Sequence, residues 1–285
     1  MADRDDRAEQ QGAFARATGR TAEGAAEEGA ADKPRYRRYQ YDLIAPHCGR
    51  SVLEVGAGLG EFAAQFTGLD RLVVTDVDPD AVTVAKSRFA EDGTAAREIE
   101  VRQFDLAAGH RLDRPVESVV AINVLEHFDD DAGVLELLAG SVVPGGSIVL
   151  WVPGYQSLYS DFDRRVGHFR RYTPRTLRDA IARAGLACEL ARPVNLLGGL
   201  AWWAAMRLGR ARKPASGAVG LYDRVIVPVT RVLDRALPVP FGQSVLAVAR
   251  VPAGTGTGTE ASTETGTKAS TETGAEASTE GPGAR

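Results

Sequence analysis

Seven short apolar runs recur along the chain, separated by polar, glycine-bearing or helix-patterned stretches. Val52, Leu53 and Val55 form the first, and Leu72-Val73-Val74-Thr75 the second. Ile99 to Phe104 alternates apolar and polar positions, as a strand does. Val116 to Ile122 is nearly continuous, the pattern of a strand at the centre of a parallel sheet. Ser147 to Val152, a run from Leu186 to Leu190, and Ser244 to Arg250 complete the set. Helical patterns lie between them. Asp78 is placed to cap a helix over Ala81–Ala90, with Pro79 at its first position, where a missing N–H costs nothing. Ala132–Ala139 reads as a further helix, and Thr173-Pro174 opens one that runs to Ala184 and stops at Gly185. Strand and helix in alternation predict a largely parallel α/β sheet with helices on its faces.

The link after the first strand carries the chemistry. It reads Glu54-Val55-Gly56-Ala57-Gly58-Leu59-Gly60, with a helix expected to start over Glu61–Phe66 and Glu61 near its positive end. Glycine lets a backbone turn tightly and lets a ligand lie against it. Asp76 ends the second strand, twenty residues after Gly56. An acid at that offset, at a strand tip, is placed to accept hydrogen bonds from both hydroxyls of a ribose. Strand, glycine turn and acid predict a nucleotide-type pocket at the carboxyl edge of the sheet.

The spacing E-x-G-x-G-x-G differs from the dinucleotide fingerprint G-x-G-x-x-G. It resembles the first motif of the S-adenosylmethionine (SAM) methyltransferases, and residues 51–152 are similar to the branch typified by quinone-biosynthesis methyltransferases. The resemblance implies a doubly wound, seven-stranded, mostly parallel sheet; past the fifth strand the chain departs from the minimal fold, with residues 194–241 read as helices inserted before the last strand. It implies SAM as cofactor, held by Glu54, Gly56, Ala57, Gly58, Gly60 and Asp76. Val77, next to the ribose acid, is placed on the adenine face. Asp105-Leu106 resembles the family position that accepts the adenine amino group, and Asn123, at the fourth strand tip, is placed to face the methionine half. In that branch, and in the plant small-RNA 2′-O-methyltransferases, this tip reads E-x-x-E-H and holds magnesium. Here Asn123 replaces the first Glu while Glu126 and His127 remain. Two anionic ligands suit a hard cation better than one, so no metal is expected. The basic, tyrosine-rich segment Pro34–Pro46 is expected to be a helix that either covers the cofactor or is merely solvated.

Residues 153–172 form a long polar segment past the fifth strand, crowded with Tyr155, Asp161, Asp163, Arg171 and Tyr172. Long loops at this edge of a sheet tend to carry function. Methyl transfer from a sulfonium needs the nucleophile held in line behind the methyl carbon, and a hydroxyl nucleophile also needs a base. Of four histidines, His127 lies at the fourth strand tip and His168 in this loop. Both are candidates as base or orienting group, with Tyr172 and Asp163 behind them. The expected activity is SAM-dependent O-methylation of a small or lipid-linked acceptor. N-methylation and a non-catalytic, membrane-associated adaptor are the alternatives.

The insertion 194–241 combines Leu196, Leu200, Trp202 and Trp203 with Val225, Val229 and Val232 and flanking arginines. It suits a lid or a helix in a membrane interface, or a helical pair packed on the sheet or on a second subunit. The net charge of −4 argues against nucleic acid as a partner. Cys48 and Cys188 lie in no metal or disulfide pattern. The charged start lacks a secretory h-region, so a cytoplasmic protein, peripheral to a membrane at most, is expected. Residues 1–33 and 252–285 carry too little apolar surface to offset chain entropy, and the latter repeats Ala-Ser-Thr-Glu with a period of eight. Both ends are expected to be disordered, leaving one domain over 34–251.

Overall fold

The computed structural model describes residues 33–91, 95–207, 220–236 and 239–253. The segments 1–33 and 252–285, with their expected disorder and the repeat, lie outside them apart from Lys33, Pro252 and Ala253. The strands are β1 (Ser51–Val55), β2 (Leu69–Asp76), β3 (Ala96–Gln103), β4 (Val116–Ile122), β5 (Val142–Pro153), β6 (Ala187–Val194) and β7 (Ser244–Arg250). They form one sheet in the order β3-β2-β1-β4-β5-β7-β6. Only β7 runs against its neighbours. The helices are α1 (Pro34–Ile44), α2 (Pro79–Glu91), α3 (Asp131–Ala139), α4 (Asp161–Arg165), α5 (Pro174–Arg183), α6 (Leu196–Arg207) and α7 (Val227–Ala236).

The strands read as continuous apolar runs because both faces are covered. On one face Leu53, Val119, Leu150 and Ala247 pack with Val134 and Leu135 of α3 and Leu177 and Ile181 of α5. On the other, Val52, Val120, Val149 and Leu246 pack with Tyr39 and Ile44 of α1, Phe89 of α2 and Val227 of α7. Strand order reverses between β1 and β4, so the links leaving these two strands diverge and open a crevice at their carboxyl ends, the switch point of a doubly wound sheet. The glycine turn and Asn123 both leave there.

Local differences from the sequence reading have local causes. The helix expected over Glu61–Phe66 is a single 3-10 turn, Ala63–Gln65. The short link from Gly60 to β2 at Leu69 leaves too little chain for an α-helix and its return, and the buried side chains of Phe62 and Phe66 fix the turn. The fifth strand, expected over Ser147–Val152, starts earlier at Val142 and takes in Pro144-Gly145-Gly146 as an irregularity. The pairing passes from Val116↔Val142 to Ser118↔Ser147 across it. The segment 153–172 is less irregular than expected, holding a 3-10 turn at Gln156–Leu158 and the short α4. Asp78 caps α2 as expected, accepting from the Asp80 N–H at 2.9 Å.

Candidate active site

The glycine turn is built by backbone demand. Gly56, Gly58 and Gly60 have φ of 67°, 56° and 73°, a region that side-chain-bearing residues seldom adopt. A Cβ on Gly60 would lie 2.9 Å from a ring carbon of Phe89, whereas one on Gly58 would meet nothing within 4 Å. The turn is thus packed from below at Gly60 and open at Gly58, where a ligand can lie against it. Asp76 is buried at the tip of β2. It accepts from the Gly58 N–H at 2.7 Å and the Asp78 N–H at 3.0 Å. The sequence-predicted acid therefore shapes the turn, and a carboxylate offers several acceptor sites on its two oxygens. Ala57 donates its N–H to the Thr75 carbonyl at 2.9 Å. Glu54 is buried within β1, and its carbonyl accepts the Thr75 hydroxyl at 2.9 Å.

The tips of β2 and β3 are joined. Gln103 Nε2 donates to the Val77 carbonyl at 2.8 Å, and the Phe104 N–H to the Asp76 carbonyl at 2.9 Å. These bonds bring half-buried Asp105 to the same edge as Asp76 and Val77. The Asp105 carboxylate accepts the Ala107 N–H at 2.8 Å, and its N–H donates to His110 Nδ1 at 3.0 Å. Leu106 turns into the apolar core.

Asn123 has φ 51°, and its N–H donates to the Trp151 carbonyl at 2.8 Å. This left-handed step carries the chain from β4 into a 3-10 turn, Leu125–His127, in which Glu126 is fully buried. The loop after β5 folds back onto the same tip, because the Phe169 N–H donates to the Glu126 carbonyl at 2.8 Å. His168 and His127 then meet ring to ring, centroids 4.7 Å apart at 80°. His168 Nδ1 lies 2.9 Å from Asp163 Oδ1, and Nε2 lies 3.8 Å from Glu126 Oε1.

Asp163 is the hub of this loop. It is fully buried and accepts from the Ser160 N–H at 2.8 Å, Arg171 Nε at 2.8 Å and Arg171 Nη2 at 3.1 Å. Burial pushes its carboxyl up, but the hydrogen bonds from His168 and Arg171 and the Arg171 charge outweigh that and hold it at about 2. An ionised carboxylate only accepts, so the hydrogen between it and His168 belongs to Nδ1, which makes Nε2 the acceptor atom of the neutral ring. Tyr172 is buried in the core, with its phenol donating to Asp131 at 3.2 Å. Burial, together with the Asp131 charge, pushes that phenol well above its ordinary value, so it stays protonated.

Glu126, His127 and His168 each offer a donor atom, all within 4.8 Å of one another. The expectation of no metal rested on Asn123, and spacing along the chain does not reveal that His168 fills out the group. One carboxylate and two imidazoles fit a borderline transition ion better than magnesium, which prefers oxygen. Arg171, noted in the sequence only as one polar residue of this loop, has a role that its spacing did not assign. It neighbours Arg170 in a basic run, but Arg170 pairs with Asp129 at the surface while Arg171 is buried on Asp163.

α1 lies against the glycine turn. Arg37 pairs with Glu61, and Tyr41 packs on Phe66 with centroids 5.3 Å apart. Its Tyr39 and Ile44 are fully buried, so it is no merely solvated helix. Its other side is bolted to the insertion. Asp223 accepts the Tyr36 N–H at 2.8 Å, the Tyr39 phenol donates to Asp234, and Arg231 pairs with Asp42.

Sheet order, glycine turn and strand-tip acids together define a class I SAM-dependent methyltransferase. The family model for the methyltransferase domain matches residues 11–191, and the chain belongs to that family. SAM is the cofactor that family membership and the named relatives imply. A ubiquinone biosynthesis O-methyltransferase of Thiobacillus denitrificans is 35% identical over 106 residues, 37% of this chain and 45% of that protein. A ribosomal protein L11 methyltransferase of Geobacter metallireducens is 36% identical over 101 residues, 35% of this chain and 31% of that protein. A Mycobacterium tuberculosis protein named probable S-adenosylmethionine-dependent methyltransferase Rv3030 is 33% identical over 122 residues, 41% of this chain and 42% of that protein. The chain thus spans less than half the length of these curated relatives. Among solved structures, YcgJ of Bacillus subtilis superposes with a TM-score of 0.50 at 17% identity, covering 75% of this chain and 98% of that one. A chain from the complex of the Haloferax volcanii Trm112 methyltransferase activator with a methyltransferase gives 0.52 at 19% identity, covering 80% and 94%. These two likenesses show the fold alone.

Proposed function

We propose that the protein transfers the SAM methyl group to a hydroxyl oxygen of a small or lipid-linked acceptor, with His168 as the base. The observation that carries this reading is the Asp163–His168 pair beside His127 at the tip of β4. The glycine turn, Asp76, Val77 and Asp105 hold the adenosine, and Asn123 faces the methionine half. The acceptor oxygen attacks the methyl carbon in line, the carbon–sulfur bond breaks, and sulfur leaves as a neutral thioether. The hydroxyl proton passes to His168 Nε2, and Asp163 and Glu126 stabilise the resulting imidazolium. Asp163 positions the ring and does not itself take the proton. His127 packs on His168 and orients it or the acceptor. An amine acceptor would need less help from a base, so N-methylation predicts little loss when His168 is removed.

A second reading is favoured by the Glu126, His127 and His168 cluster. These three residues would hold a divalent transition ion, which when bound lowers the pKa of an acceptor hydroxyl. Metal analysis of the purified protein, with Glu126→Gln as control, decides between the two; no bound metal removes this version. The main reading is tested by mass spectrometry of a cell extract treated with protein and SAM. The expected product gains one methyl on oxygen and appears with S-adenosylhomocysteine. A product methylated on nitrogen overturns it.

A further inference from the structure

Among the described residues, the helices between β6 and β7 show an exposed apolar strip. Leu221, Val225, Val229 and Val232 are between 48 and 65% exposed. They recur three or four residues apart and so share one side of the helical segment. On α6, which packs against α7, Leu200 and Trp203 are nearly half exposed, again three residues apart. The inward side of the same segment carries its two acids, Asp223 and Asp234, which are buried with Thr230 and Val227. Asp223 is bonded to α1, and Asp234 to Tyr39 and the Asn195 N–H. A solvated helix keeps its polar residues outside. Here both acids are withdrawn and apolar side chains face out.

What stays at the rim is positive. Arg224 and, on α1, Arg35 are exposed beside the strip. Residues 194–241 hold seven Lys and Arg against two Asp, in a chain of net charge −4. We propose that this face docks on an anionic lipid bilayer, with α6 and α7 lying in the interface plane. An apolar strip flanked by arginines, with a tryptophan at its edge, matches the layering of such a surface. A second copy of the chain would bring like-charged rims together, which opposes association. No helix among the described residues is long and apolar enough to cross a membrane, so the contact is lateral.

The face backs onto the loop that carries His168. Trp202 Nε1 donates to the Leu158 carbonyl at 3.1 Å, and the Arg171 guanidinium lies 5.5 Å from the Trp202 ring centre. Arg171 in turn holds Asp163. Exposed Phe169 follows His168 on the same loop. An acceptor carried in the lipid layer would arrive at this loop. The docking itself does not depend on which atom is methylated.

Vesicle flotation of the full chain tests the proposal, using phosphatidylglycerol-rich and pure phosphatidylcholine vesicles. The wild type is expected to float with the anionic vesicles and to be released by salt. Val225→Asp/Val232→Asp should bind about tenfold or more weakly, and Arg224→Glu should weaken binding and its salt dependence. Both alter exposed side chains, and calorimetry with S-adenosylhomocysteine should show the cofactor affinity of each variant unchanged. No flotation of the wild type, or equal flotation of the Val225/Val232 variant, overturns the proposal. So does a dimer that the same variant dissociates while lipid binding is absent.

Discussion

His127 and His168 come from separate elements, the tip of β4 and the loop after β5, yet their rings meet edge to face at 4.7 Å. The loop is fixed there by the Glu126 carbonyl and by Asp163. His168→Ala should therefore lower kcat toward a hydroxyl acceptor by about 10²- to 10⁴-fold, the usual worth of a positioned base. Binding of S-adenosylhomocysteine should stay near the wild-type value. Release of that product, followed over time, checks the first statement, and wild-type turnover in the variant would remove His168 from the mechanism.

Asp163 makes folding sensitive to acid. Its carboxyl is held at about 2 in the folded chain, below the ordinary 3.8. A group with a depressed folded pKa contributes stability that is complete above the unfolded value and disappears as pH falls through the folded one. Urea unfolding should show stability dropping between about pH 4 and pH 2, with a shallower drop in Asp163→Asn. At neutral pH that variant leaves buried Arg171 without its counter-charge and should be less stable by about 3 to 5 kcal/mol.

The glycine turn and Asp76 act together. Asp76→Ala removes the acceptor that fixes the Gly58 N–H. It should weaken S-adenosylhomocysteine binding by about 10- to 100-fold, from the loss of charge-assisted hydrogen bonds. Isothermal calorimetry measures this, and an unchanged affinity would place the ribose elsewhere.

Gly60→Ala forces a side chain into φ 73° and against Phe89. Strain and crowding together should cost about 1 to 3 kcal/mol. A melting temperature equal to that of the wild type would mean that the turn relaxes easily.

Tyr39→Phe deletes a buried hydroxyl that serves both Asp234 and the Asn195 N–H. The variant should be less stable by about 1 to 3 kcal/mol. Thermal unfolding checks it, and no change would show that α1 is held by apolar packing alone.

The parts of the site that lie within a few residues of a strand end were legible in the sequence. Gly56, Gly58 and Gly60 announce a turn because glycine takes those φ values without the strain a side chain brings, and Asp76 follows at the tip of the next parallel strand. The loop cluster was not legible in the same way. Nothing local distinguishes Arg171, buried on Asp163, from Arg170 at the surface, because the docking of the loop decides it. In the insertion, spacing showed helical character but not which side faces out. Nor did it show the π-helical turn Tyr222–Ile226 ahead of Pro228, a residue with no N–H to give.

The clasp of α1 has a consequence for the newborn chain. Its clasping partners Asp223 and Asp234 leave the ribosome long after Tyr36 and Tyr39. Until then the stretch matched by the family model, which ends at residue 191, has emerged with its first helix held only by partners such as Glu61, Phe66 and Trp151. A nascent polypeptide stalled before Tyr222 would thus present every motif residue while α1 still lacks its bonds to Asp223 and Asp234.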